Sequence, residues 1–362
     1  MRAAALACAL AAAACSSSDP IEAPSGAAND AAPFDASGDM ARDTAEDAVT
    51  DAASDATSDA PSDEASDAGP PLGLPQWLSE TGLYDDIATD SVAPEMRAYS
   101  PRFPLWSDGA EKRRWLYLPP GKTIDSSDMD GWIYPVGTKA FKEFTIDGKR
   151  VETRMLHKFD ATRWEMVAYA WNDAQTDAKA TPHGIVDALG TAHDIPGKQD
   201  CGLCHAGMKD RMLGVSAVQL EGASPGVALA DLVAEGRLSD PPPSPLTLPG
   251  DATAQLALGT LHANCGSCHN PNSSLSLDLD LWLRTGSLGS VAATPTYTST
   301  VGIAPTIPIA GVTARIAPGD PAASAVHARM AVRGDPLAMP PLASELVDDQ
   351  GLAAVDSWIG AL

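Results

Sequence analysis

Two short stretches of the chain spell nearly the same thing. QDCGLCHAG at 199–207 and LHANCGSCHNPNSS at 261–274 each place two cysteines three apart with a histidine directly after. On a helix, positions i, i+3 and i+4 share a face, so Cys201, Cys204 and His205 project together, as do Cys265, Cys268 and His269. Two thiols and an imidazole in that array suit a porphyrin: the thiols add to its vinyl groups as thioethers, and the imidazole coordinates the iron. A four-cysteine zinc site is the competing reading. It would separate its pairs by roughly 15–20 residues, whereas about 60 separate these, and it gives the histidines no task. A thioredoxin-type redox pair needs neither the histidine nor the duplication.

Iron held from one side leaves a sixth position. After the second motif the chain reads PLAMPPLASELVDDQG, and Met339 precedes two prolines. A thioether on a proline-stiffened loop is a natural sixth ligand, and His/Met ligation raises an iron's potential relative to two imidazoles. Met330, in the helical run VHARM beside His327, is the competitor and reads as a packing residue. For the first motif, GTAHDIPGKQDCGLCH offers His193 on a loop with room to fold over an open iron face. His262 and Met212 compete with it, Met208 lies very close to the motif, and a five-coordinate iron is the remaining alternative.

The other cysteines sit at the start of the chain. MRAAALACALAAAAC carries Arg2 and then a run of small apolar residues too short to cross a bilayer, which predicts an export signal over 1–15. Cys8 and Cys15 belong to it, so every remaining cysteine is in a Cys-X-X-Cys-His motif and no disulfide framework is left. Exported thiols are liabilities unless chemically occupied, which two covalent haem groups would achieve. Residues 16–70 form an acidic Ala/Ser/Asp-rich tether. Between 19 and 67 stand 14 acidic residues against one basic, Arg42. Asp51, Asp55, Asp59, Asp63 and Asp67 recur every four residues, which would stack like charge on one helix face, and large apolar residues are nearly absent, so disorder is expected. An overall charge of −24 excludes nucleic acid as a partner.

What must position the two motifs changes texture twice. Most of the tryptophan, tyrosine and phenylalanine falls between 77 and 171, in strand-like runs: RRWLYL, GWIYPVG, FKEFTI, RVETRMLHKF and WEMVAYAWN, separated by turn signals. This predicts an antiparallel β module over 71–195, a sandwich or meander with WLSETGLYDD as a short helix leading in. Alternation in RVETRMLHKF predicts a half-solvated strand, with Val151, Thr153, Met155 and His157 on one face and Glu152, Arg154 and Lys158 on the other. Glu143, Glu152 and Asp160 read as solvated strand-face or turn residues, and Lys112, Arg113 and Arg114 as surface. Residues 196–240 make a first haem segment, 241–250 a Pro-rich linker, and 251–362 a helical second unit. Its helices are capped by Asp251 and Asp348. The expected class is therefore α+β and multidomain, an aromatic β module followed by an all-α region carrying two haems.

Several resemblances bear on these residues. CGSCH, the later MPP loop and a closing helix make 251–362 similar to a class I cytochrome c domain. That similarity implies His269 as proximal ligand, Met339 as distal ligand, and packing of the C-terminal helix against the one before Cys265. The first fifteen residues resemble a bacterial lipoprotein signal, implying lipidation of Cys15 and a membrane anchor. With LWSDGAEKRRWLYLPPG, YPVGTKAFKEF, VETRML and YAWNDAQTDA, residues 74–362 resemble a family of bacterial di-haem c-type cytochrome lipoproteins. The family implies an exported carrier, periplasmic or held at the cell envelope, that moves single electrons between redox partner proteins. A haem enzyme, di-haem peroxidase-like or an oxidoreductase whose substrate binds the β module, is the second function. A third makes that module a recognition domain for a carbohydrate or a protein.

Overall fold

The computed structural model describes residues 73–362 except 224, 243–244, 276 and 342–343. The predicted signal with Cys8 and Cys15, and the acidic tether, lie outside the described residues. The chain divides into two units, 1–63 and 64–362, and every described residue belongs to the second. That unit runs unbroken through 195, 240 and 250, the positions where the sequence suggested divisions.

The protein mixes α and β structure around one antiparallel sheet. A two-stranded ribbon, β1 (Tyr84–Asp86) and β2 (Ser91–Val92), precedes it. The sheet itself is a meander in sequence order: β3 (Arg97–Ala98), β4 (Glu111–Tyr117), β5 (Lys139–Ile146), β6 (Lys149–Lys158), β7 (Trp164–Trp171) and β8 (Ala178–Ala180). The run WLSETGLYDD gives a single 3₁₀ turn, Leu78–Glu80, and then β1, rather than a helix. GWIYPVG forms no strand. Trp132 and Tyr134 are drawn into the core, and the backbone N–H of Tyr134 goes to the Asp210 carboxylate at 2.6 Å instead of to a ladder partner.

Both faces of the sheet are covered, so the expectation of a half-solvated β6 is corrected. One face, with Trp115, Phe141, Met155, Val167 and Tyr169, packs against Leu74, Leu78, Leu83 and Tyr84. The other face receives the C-terminal half of the chain: Leu116, Ala140 and Leu156 join Met212, Val215, Leu220 and Leu232 in a second core. Glu143 and Glu152 are fully buried, not solvated, and Arg114 is only 8% exposed. Asp160 is the turn residue expected, accepting from the N–H groups of Thr162 and Arg163.

Burial of these charges is matched by partners. Glu143 takes Tyr84 Oη–H at 2.7 Å and the Arg113 guanidinium at 2.6 Å. Arg113 is itself half-exposed, as expected, and also reaches Asp90. Lys158, 1% exposed, pairs with Asp210 at 2.6 Å, and the other Asp210 oxygen accepts from Trp164 Nε1–H at 2.9 Å. A buried pair stabilises only when its remaining lone pairs are satisfied, and Asp210 meets that condition with three donors.

The second half carries short helices joined by long loops and 3₁₀ turns, rather than the all-α region expected: α1 (Lys198–His205), α2 (Ala217–Leu220), α3 (Leu229–Ala234), α4 (Ala252–Asn264), α5 (Pro295–Thr300), α6 (Ala325–Met330) and α7 (Asp349–Ala361). Asp251 caps α4 through the N–H of Ala254, and Asp348 caps α7 through that of Gly351, both as the sequence predicts. Helices α4 and α7 pack together through Ala257, Leu258 and Leu261 against Val355, Trp358 and Ile359. Gly259 lies under the ring of Phe103, where a Cβ would stand 2.2 Å from ring carbons. Leu246 and Leu248, in the expected linker, are each packed against a core. No helix among the described residues is long and apolar enough to cross a membrane.

Candidate cofactor site

The first motif lies wholly within α1, whose opening turn is closed by the Asp200 carboxylate accepting from Gly197 N–H at 2.9 Å. The second follows the end of α4. Cys265 is the helix's last cap, and one further turn is held by His269 N–H donating to the Cys265 carbonyl at 2.9 Å. In the first motif Cys204 and His205 face one cavity, whereas Cys201 is not among its lining residues and its thiol lies 3.8 Å from the Gly197 carbonyl. The two motifs touch. The Cys268 thiol lies 3.3 Å from the Leu203 carbonyl, and Gly207 sits so close to Ser267 that a Cβ would fall 2.3 Å from its carbonyl oxygen. Cys268 also neighbours Cys204, and their hydrogen bond raises the Cys204 thiol and lowers that of Cys268.

The two motifs open on one cavity of about 1220 Å³, larger than the ~300–1,000 Å³ of a usual ligand pocket. Cys204, His205, Cys265, Cys268, His269 and Met339 all line it. His193, His262 and Met212, the other residues considered as ligands, line it as well. Cys201, Cys204, Cys265 and Cys268 form no disulfide among the described residues. Among the described residues no group of three or more His, Cys, Asp or Glu is arranged to hold a metal ion directly.

Hydrogen bonding separates the histidines by tautomer. His205 Nδ1 bonds the Arg211 carbonyl at 2.5 Å, so the ring proton sits there and Nε2 keeps its lone pair for a metal. Burial holds this imidazole down to about 4, so it is neutral across the physiological range. His262 is the reverse. Its Nδ1 accepts the backbone N–H of Leu283 at 3.1 Å, which puts the proton on Nε2. That buried Nε2–H has no partner, and coordination through it would require an imidazolate. His262 is therefore a donor to the cavity rather than an axial ligand. Burial lowers it to about 3. His269 Nδ1 is buried without a partner, and burial lowers this ring too.

His193 reaches the cavity with Nε2 already engaged, 2.8 Å from Glu152 Oε2. Glu152 also accepts two bonds from Arg154, at 2.6 and 2.9 Å. Burial opposes its charge, but Arg154 and His193 outweigh it and hold the carboxyl below its usual range. Met330 packs in the core with Val355 and Trp358, whereas Met339 lines the cavity, its N–H bonded to the Arg329 carbonyl at 3.0 Å. The Met339 loop is clasped from the sheet side: Asp108 Oδ1 accepts the N–H groups of Glu345 and Leu346 at 2.9 and 2.8 Å, and Trp106 Nε1–H donates to Leu346 at 2.9 Å.

The sheet supplies one wall, which sequence reasoning missed. Arg114, Lys142 and Arg154 stand in register on β4, β5 and β6 and face the cavity. Two signals pointed to it: period-two alternation puts these residues on the side away from Trp115 and Met155, and the RR and KEF runs carry charge where a strand must be covered. Seen whole, the residues suit a covalently attached porphyrin. There are paired thiols, an imidazole in the ligand tautomer, a thioether, and donors and cations around a large cavity. Comparison with models of known families, with curated proteins and with solved structures gave no match.

Proposed function

We propose that this protein is an exported di-haem c-type cytochrome that passes single electrons between redox partner proteins. Cys201 and Cys204, and Cys265 and Cys268, would hold the haem groups covalently, His205 and His269 would each offer an imidazole to an iron, and Met339 would offer a thioether at the second. The observation that carries this reading is that both motifs open on one cavity with the His205 proton held on Nδ1. The pairing of α4 with α7 supports a cytochrome c-like arrangement of the second attachment site. When bound, haem supplies an iron that changes charge by one electron. The chain's own work is to hold the ligands, exclude water and set two potentials. A lipid on Cys15 would tether the carrier to a bacterial membrane, in the periplasm or at the cell envelope.

A second reading, a haem oxidoreductase, is favoured by one feature. His193 is fixed through Nε2 to Glu152, with Arg154 beside it on the same cavity wall. An imidazole held this way can move a proton next to a guanidinium, which a peroxidase-like site needs and a carrier does not. Peroxide-dependent oxidation of a reduced donor separates the two, because a carrier gives little turnover.

The decisive test is a pyridine haemochrome assay on protein made with its signal and a haem-attachment system. Two covalent haems per chain support the proposal. One makes the first motif a decoy, and none sinks the reading.

A further inference from the structure

The cavity wall formed by the sheet is unusual in its charge. Arg114 pairs in register with Lys142, and Lys142 with Arg154, so three cations stand side by side across strands about 4.8 Å apart. Like charges directly opposite on neighbouring strands destabilise a sheet. Lys112 adds a further positive charge on the same face, its ammonium donating to the Leu105 carbonyl at 3.0 Å.

Compensation is scarce. Glu152 stands on the same face, and Arg154 and His193 already occupy it. Asp108, Asp194, Asp200 and Glu345 line the cavity too, but among the described residues none of them forms an ion pair with Arg114, Lys142 or Arg154. Among the described residues, Arg114 has no ion pair although it is only 8% exposed. Among the described residues Lys142 makes no ion pair, and its ammonium lies over the face of Phe144 at 4.5 Å, a ring that Arg154 also covers at 4.5 Å. Burial and the neighbouring cations push Lys142 well below its ordinary range, and burial lowers Arg114. Water in the cavity could hydrate these groups, but it leaves their mutual repulsion in place. A buried charge without a counter-charge is destabilising.

We propose that Arg114, Lys142 and Arg154 form a carboxylate-binding wall that takes the propionate groups of the haems held by the facing motifs. This rests on the di-haem reading and extends it by giving the β-sheet a task in cofactor binding. Every haem carries a pair of propionate carboxylates, so two haems in one cavity supply the anions this wall lacks. A guanidinium offers forked donors to a carboxylate, and Lys142 a point charge between the two arginines. The sheet is then a structural wall of the cofactor site. It stabilises the ferrous state of the nearer iron by holding positive charge beside it.

The test uses the mature holoprotein and begins with haem content. Lys142→Met and Arg114→Gln are compared with the wild type and with Lys122→Met, an exposed lysine outside the cavity. The expected result is two haems per chain in every variant. In Lys142→Met and Arg114→Gln the reduction equilibrium of one haem shifts about tenfold toward the ferric state, or about 59 mV, and Lys122→Met shows no shift. Lys142→Arg should restore the wild-type potential, which a purely structural role would not predict. If Lys142→Met fails to fold, Lys142→Gln gives the same readout. Two haems with unchanged potentials would overturn the wall and leave the di-haem reading intact, whereas absence of haem from the wild type would overturn both. A soluble carboxylate is the other possible source. Saturable spectral perturbation by acetate or citrate, lost in Lys142→Met, would show that the wall is open to exchange and overturn the propionate assignment.

Discussion

The Cys268 thiol lies 3.3 Å from the carbonyl oxygen of Leu203, inside the opposite Cys-X-X-Cys-His motif. Two Cys-X-X-Cys-His motifs about 60 residues apart in sequence are therefore neighbours in space. On the proposed di-haem reading, this contact would place the two haems close enough to influence each other.

Removing one attachment site should be felt at the other. In Cys265→Ala/Cys268→Ala protein carrying only the first haem, the midpoint potential of that haem should move by tens of millivolts, because a neighbouring charge and the water exclusion it provides are lost. Spectroelectrochemical titration reads this directly. A first haem whose potential and spectrum match the wild-type values would mean that the contact carries no coupling.

Met330 and Met339 should fail in opposite ways. Met339→Ala should abolish the weak near-infrared methionine-to-iron band of the holoprotein with little loss of stability, because Met339 borders the cavity rather than the core. Met330 is 8% exposed among Val355, Trp358 and Ile359. Met330→Ala should therefore keep the band and cost about 2–5 kcal/mol in denaturant unfolding. Exchange of these two outcomes would reverse the ligand assignment.

Breaking the Lys158–Asp210 pair should cost more than replacing it. Asp210→Asn leaves an ammonium that is 1% exposed without its charge, an expected loss of about 3–5 kcal/mol. Adding Lys158→Met to that variant should recover a large part of the loss. Equal destabilisation by single and double variants in urea titrations would show that hydrogen bonding, not charge, dominates the site.

His262 gives the fold a defined acid sensitivity. Its folded value is held near 3, while an unfolded chain titrates it near 6.5, so the unfolded state takes up the proton first as pH falls. The stability it contributes is complete above about pH 6.5 and is lost on acidification toward 3, at about 1.4 kcal/mol per pH unit. His262→Gln removes the titration while its amide oxygen can still accept from Leu283. The difference between wild-type and variant stability should therefore fall steadily over that window. A constant difference would mean that the ring is hydrated in the folded state.

Both motifs, the caps Asp251 and Asp348, and most strands of the sheet were legible because each is set by local chemistry: spacing, capping oxygens and period-two alternation. What escaped was everything decided by the other half of the chain. Glu152 and Lys158 alternate as solvent-facing residues do, and their burial depends on His193 and Asp210, remote in sequence. GWIYPVG has strand composition, yet Asp210 claims the Tyr134 N–H. The tautomer that takes His262 out of contention as a ligand depends on the N–H of Leu283, which no pattern around His262 announces. Separate domains were expected because the texture of the sequence changes near 195, and the contacts group the residues on both sides of that change in one unit.

Phe103 fills the notch at Gly259, and Asp108 ties down the loop that bears Met339. Residues 251–362, read alone, look like a portable electron carrier. Excised, they would lose the aromatic plug of their main helix and the clasp on their ligand loop, and a notch meant for a phenyl ring would face water. The segment around residues 103–108 is thus part of the body that holds α4 and the Met339 loop, and a fragment meant to keep both in place must begin upstream of residue 103.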